Sequence, residues 1–153
     1  GACGVRFLDT DPSISPYNPT TGANVDNSIS LGRSNVRYTV VYATTGAINT
    51  SDRNLKQDIE ELSDAEKRVA VAAKGLLRKF RWKDAVETKG DNARIHFGII
   101  AQDLQDAFTA EGLDAARYGM WCSDTFTDED TGEERTRLGV RYSELLAFII
   151  SAL

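Results

Sequence analysis

Ile48-Asn49-Thr50-Ser51-Asp52-Arg53-Asn54-Leu55-Lys56 is the stretch on which the reading of this chain turns. A serine stands at the join, an aspartate follows it directly, and a lysine comes five residues later. Ser-Asp ahead of a helix is first of all the look of an N-cap. Five residues carry the lysine off the serine's face on a helix and onto the opposite face on a strand. Ser51 and Lys56 therefore meet only if a turn brings them together.

Outward from this stretch the composition differs on the two sides. Residues 1–50 hold all three prolines, no lysine, many Ser, Thr and Asn, and a balanced charge of Arg6, Arg33 and Arg37 against Asp9, Asp11 and Asp26. Residues 51–153 hold the helix formers and all of the net charge of −5. The shift places a boundary near Ser51, with one part at 1–50 and the other at 51–153. A length of 153 residues is enough to bury a core without metal or disulfide staples. The negative charge argues against broad capture of nucleic acid or of an anionic membrane, and no apolar run is long enough to span a bilayer. Cys3 and Cys122 match no zinc or redox spacing and read as two buried or idle thiols, which a cytosolic site of folding fits. Gly1-Ala2-Cys3 carries no secretory pattern and reads as a cut from a longer chain.

In the first part the apolar residues come in short bursts, at Val5–Phe7, Ile29–Leu31 and Val36-Tyr38-Val40-Tyr42. The last burst alternates, apart from Val41, as a half-buried strand does. Asp11-Pro12, Ser15-Pro16, Asn18-Pro19 and Thr21-Gly22 read as turns between them. Such short-stranded β structure has little apolar mass to fold alone, and a trimer sharing strands across chains would supply what is missing.

The second part mixes helices with strands. Ser63-Asp64-Ala65-Glu66 is a capping box, opening a helix to about Lys79 with Val69, Ala72, Ala73, Leu76 and Leu77 as its apolar stripe. Phe80-Arg81-Trp82 reads as a short strand, Lys89-Gly90-Asp91-Asn92 as a turn and 94–100 as a second strand. Residues 102–108 read as a short helix. Tyr118 to Phe126 and Arg135 to Arg141 read as a hairpin closed by the acidic Asp128-Glu129-Asp130-Thr131-Gly132, a solvated loop rather than a calcium site. From Tyr142 an apolar helix begins that asks for partners, within the domain or in a bundle.

Three separated runs also resemble a known family. Ser30-Leu31-Gly32, Val36-Arg37-Tyr38, residues 41–52, Leu55-Lys56 and Ile59 resemble the junction between shaft and C-terminal chaperone in phage tailspikes and tail fibres, with Tyr38 where many relatives have tryptophan. Residues 96–104, His96-Phe97-Gly98-Ile99-Ile100-Ala101-Gln102-Asp103-Leu104, resemble that chaperone's second hallmark. Val140-Arg141-Tyr142-Ser143-Glu144-Leu145 resembles its third. The family is the self-cleaving intramolecular chaperone domain of endosialidase type, shared with myelin regulatory factor. The resemblance implies an α+β fold, in which a short β-rich shaft segment precedes a mixed helix and hairpin domain in an intertwined homotrimer. It implies that the domain folds its own upstream shaft and then cuts the Thr50–Ser51 bond, with Ser51 as nucleophile and Lys56 as base. It implies assembly of a virion tail-fibre precursor in the host cytoplasm and later release of the chaperone. No cofactor, metal, nucleic acid or membrane is called for.

The supporting residues keep two readings each. Asp52 either orients Ser51 or Lys56 or caps a turn. His96, the single histidine, reads first as structural and second as catalytic. Gln102 reads first as bonding backbone in the core and second as an oxyanion donor. Gly98 reads as a close-packing position. Trp82 and Trp121 read as core or trimer interface. The rival to the self-cutting chaperone is a trimerisation cap or receptor-binding fibre tip that never cuts. A hydrolase acting on other proteins is disfavoured, because no second catalytic constellation appears.

Overall fold

The structure, a computed structural model, describes residues 3–8, 13–33, 35–42 and 51–153. The chain divides into two compact units, residues 1–44 and 45–153.

The first unit contains one antiparallel ribbon, β1 (Gly4–Leu8) paired with β2 (Ser13–Tyr17), in the register Gly4↔Tyr17 to Leu8↔Ser13. Ser15-Pro16, expected as a turn, lies inside β2. Pro16 O accepts from Val25 N at 3.3 Å, so the backbone of this residue faces away from β1 and its missing N–H falls on the open side of an edge strand. Asp11-Pro12 lies outside the described residues. The turn at Asn18-Pro19 is present: Asn18 Oδ1 accepts from Thr20 N at 2.9 Å, and Gly22 closes the loop at φ +70. Residues 35–42 form no strand. Alternation specifies a strand only when another strand and a covered face complete it. Val36, Tyr38, Val40 and Tyr42 are all exposed here.

In the second unit, Ser63 opens α1 (Asp64–Lys74) with the expected capping box. Ser63 Oγ accepts from Glu66 N, and Glu66 Oε2 accepts from Ser63 N at 2.7 Å. The helix stops at Lys74, five residues before the expected end. Gly75 and Leu76 donate to Ala72 O and Ala73 O, and the Arg78 guanidinium donates to the carbonyls of Gly75 and Leu77. The residues so released form β3 (Arg78–Phe80), two positions earlier than expected, which pairs antiparallel with β4 (His96–Gly98). Trp82 starts a short helix, α2 (Lys83–Lys89), which the sequence pattern did not reveal. The turn expected at Gly90 is a 3-10 turn, Gly90–Asn92. Then come α3 (Ala101–Ala110), the hairpin β5 (Trp121–Thr127) and β6 (Glu134–Val140), and α4 (Tyr142–Ile150). The hairpin runs from Trp121↔Val140 to Thr127↔Glu134. Its tip is closed by Asp128, whose Oδ1 accepts from Asp130 N and Thr131 N and whose Oδ2 pairs with Arg135 at 2.9 Å.

The core lies where α1 packs on α3 and α4. Val69, Leu104, Phe108 and Leu145 are fully buried, each worth roughly 1.5–3 kcal/mol of apolar transfer. Of the expected α1 stripe, Val69 and Ala73 are buried and Leu76 is partly so, while Ala72 and Leu77 are exposed and Ala70 takes their place. Phe108 stacks on Phe148 at 6.0 Å and against Tyr118 at 4.5 Å. Trp121 closes the core, its indole Nε1 donating to Ala101 O at 3.0 Å. Among the described residues no helix is long and apolar enough to cross a membrane.

Candidate active site

Ser51 and Lys56 are brought together by a local device. Asp52 takes an extended conformation, φ −69 and ψ 129, and its Oδ1 accepts from Asn54 N at 2.9 Å and from Asn54 Nδ2 at 3.1 Å. That cap starts a single 3-10 turn, Arg53–Leu55, closed by Leu55 N donating to Asp52 O and Lys56 N to Arg53 O. Three residues per turn, rather than 3.6, return the chain after Lys56 to the side of Ser51. Lys56 Nζ lies 3.0 Å from Ser51 Oγ. The awkward spacing of five is therefore the spacing of an extended residue followed by one tight turn.

As an ammonium, Lys56 donates to the serine oxygen. In its neutral form the same contact reverses, and Ser51 Oγ–H donates to Nζ, which is the geometry of a general base on a nucleophile. Both side chains, and Asp52 and Arg53 with them, are exposed to water in the isolated chain. Of the two readings of Asp52, the geometry is that of a cap on the turn that precedes Lys56. Thr50, the other partner in the expected scissile bond, lies outside the described residues.

His96 and Gln102 are elsewhere. Among the described residues no hydrogen bond joins either of them to Ser51 or Lys56. His96 is half-buried on β4, stacked on Phe80 at 6.0 Å and tilted against Trp82 at 6.2 Å. Gln102 is exposed on the first turn of α3, not in the core, because α3 turns Ala101, Leu104 and Phe108 inward and leaves position 102 outside. Both line an open pocket of about 770 Å³.

A contact that the sequence did not indicate ties the second hallmark run to the third. Tyr142 Oη accepts from Ile99 N at 3.2 Å. Gly98 makes room for it, since a Cβ at that position would stand 2.1 Å from the hydroxyl and 3.1 Å from Cζ. The close-packing reading of Gly98 holds. No periodicity predicts its partner, 44 positions on in β-to-helix sequence, because the contact is tertiary. Arg141 adds to the same join, its backbone N donating to Met120 O and its guanidinium to Gly119 O.

The second unit, a mixture of helices and small antiparallel hairpins, has known counterparts. A sequence model of the family described as "chaperone of endosialidase" matches residues 51–113. A solved structure described as a novel intramolecular chaperon is 32% identical, with a TM-score of 0.54, over 67% of this chain and 93% of that one. The chain belongs to the chaperone-of-endosialidase family. The carboxy-terminal domain of the bacteriophage T5 L-shaped tail fiber, solved with its intra-molecular chaperone domain, aligns over 97% of this chain and 40% of that one, with a TM-score of 0.71 and 26% identity. A probable tail spike protein of Klebsiella phage 0507-KN2-1 is 37% identical over 118 residues, which are 76% of this chain and 9% of that protein.

Proposed function

We propose that this chain is the self-cutting chaperone end of a phage tail fibre or tailspike. In this reading residues 1–50 are the distal end of a β-rich shaft and residues 51–153 the chaperone. Three copies assemble and hold their shaft segments together while these fold, in the host cytoplasm, and the chaperone then leaves the virion tail. The exposed alternating residues Val36, Tyr38, Val40 and Tyr42 suit a strand that finds its partners in other copies.

The release step is hydrolysis of Thr50–Ser51. Neutral Lys56 takes the proton of Ser51 Oγ, which attacks the Thr50 carbonyl. The C–N bond breaks, the proton passes from Lys56 to the Ser51 nitrogen, and the peptide has become an ester. Water then cleaves the ester, leaving a Thr50 carboxylate and a Ser51 N-terminus. Each chain cuts once. Holding the nucleophile beside its carbonyl supplies on the order of 7–11 kcal/mol of such a barrier at best. The base must lose its proton near neutral pH, and desolvation in an assembled trimer is what would bring that about.

The observation that carries this reading is the 3.0 Å contact between Lys56 Nζ and Ser51 Oγ, placed at the residue where the family match begins. The exposure of the pair favours a second reading, in which the domain is a permanent trimeric cap and the contact an ordinary surface hydrogen bond. Denaturing mass spectrometry of freshly expressed protein, beside Ser51→Ala and Lys56→Ala, separates the two. A break between residues 50 and 51 in the parent alone is the expected result. One uncut mass for all three, from protein that sediments as a trimer, selects the permanent cap.

A further inference from the structure

The second unit carries both an uncovered apolar pocket and an uncovered segment that complements it. The pocket, about 770 Å³, is floored by Trp82, Phe97, Ile100 and Tyr142. Trp82 is 58% exposed and Phe97 79%. Two cations, Arg81 and Lys83, line it against one carboxylate, Asp84, and Arg81 reaches Asp91 only at 3.9 Å. The segment lies just beyond the serine–lysine pair. Residues 56–62 have no secondary structure, and Ile59, 65% exposed, stands among Asp58, Glu60 and Glu61. Among the described residues, none of these three carboxylates has a hydrogen bond or an ion pair.

We infer that residues 58–61 of one copy dock in the Trp82–Phe97 pocket of a neighbouring copy, with Ile59 on the aromatic floor and the carboxylates toward Arg81 and Lys83. The inference rests on the self-assembly proposed above and not on the cleavage. Charge selects this occupant over the other exposed apolar segment of the chain. Residues 35–42 are more apolar, but their one charge is Arg37, of the same sign as the excess at the pocket rim. Like charges brought together oppose that pairing, whereas three carboxylates beside two cations favour the one inferred. The docked segment begins two residues after Lys56, so its burial also withdraws water from the Ser51–Lys56 contact. Assembly and neutralisation of the base then become one event.

The test uses the 153-residue chain with Cys3→Ser and Cys122→Ser, two differently tagged copies being co-expressed. One copy carries Ile59→Cys or Val40→Cys, the other Phe97→Cys, and a short bismaleimide joins neighbouring thiols. The expected product is a link between position 59 of one copy and position 97 of the other. Glu60→Lys with Glu61→Lys, or Arg81→Glu with Lys83→Glu, should each lower its yield by about tenfold, and the two reversals together should restore it. A link from 97 to 40 instead, or yields indifferent to the charge reversals, would overturn the inference. Sedimentation of the same samples separates the levels of failure. An assembled chain without the 59–97 link sinks the docking alone, whereas a monomeric chain sinks the proposed assembly with it.

Discussion

Gly98→Ala perturbs the joint between β4 and α4, and its cost follows from distances. The added methyl would stand 2.1 Å from Tyr142 Oη, 3.1 Å from Tyr142 Cζ and 3.3 Å from Phe80 Cε1. The ring has to move, and the Ile99 N–H loses its 3.2 Å partner. Overpacking of this kind costs about 1–3 kcal/mol, and a donor left without its acceptor adds about 1–2 kcal/mol. The smaller unfolded-state entropy of alanine returns about 0.4–1 kcal/mol. The net is a loss of about 3 kcal/mol. Tyr142→Phe alone removes the hydroxyl and costs about 1–2 kcal/mol. In the double variant the 2.1 Å clash is gone and the nearest obstacle is the ring edge at 3.1 Å, so the alanine adds less than about 1 kcal/mol there. Urea unfolding of the four proteins, at one protein concentration and with Ser51→Ala in all to prevent cutting, measures the cycle. A Gly98→Ala variant within about 0.5 kcal/mol of its parent, or single costs that simply add, would refute the reasoning.

Two other expectations concern carboxylates. The Glu66 carboxyl is held below its ordinary 4.5 by the Ser63 hydroxyl, then by the Ser63 N–H, with Tyr118 Oη donating to its other oxygen at 3.0 Å. A depressed carboxyl contributes stability that is complete above its unfolded pKa and is lost as pH falls through the folded value. Glu66→Gln should therefore flatten the acid limb of the stability curve below the ordinary value, measured as urea midpoints between about pH 6 and about pH 3; an unchanged acid limb would count against the network. Asp52→Ala removes the cap of the 3-10 turn, worth about 1 kcal/mol, and should slow release of the 1–50 piece about fivefold, while Asp52→Asn, which keeps an acceptor, should cut at nearly the parent rate. Equal rates for both variants, followed by timed mass spectrometry, would show that the turn does not set the position of Lys56.

The capping box at Ser63, the α3 run, the β5–β6 hairpin and the start of α4 were legible because each rests on a local rule. A side-chain cap, a 3.6 period, an acidic Gly-containing turn and an apolar run act within a few residues of one another. The end of α1 was not legible in this way. Arg78–Phe80 has as good a helical pattern as a strand pattern, and its pairing with His96–Gly98 decides between them. Trp82 and Gln102 show the same limit on the surface. Which residues of an apolar segment face outward depends on what packs on the other side, and residues 35–42 lack a strand partner among the described residues of their own chain.

The sequence by itself determined the change of composition near Ser51, the separation of Ser51 from Lys56 and the presence of three hallmark runs, since these are properties of order along the chain. Tertiary and local folding decided the rest. A 3-10 turn capped by Asp52 converts a separation unsuited to helix or strand into a 3.0 Å contact. Gly98 fits against Tyr142 only when β4 meets α4. His96 and Gln102, 40 or more positions beyond Lys56 in the chain, line a pocket that includes neither Ser51 nor Lys56. The physical reason is the range of the forces involved. Hydrogen bonds of a turn and its cap are fixed within five residues, whereas close packing depends on atoms that the chain brings together only after it has folded.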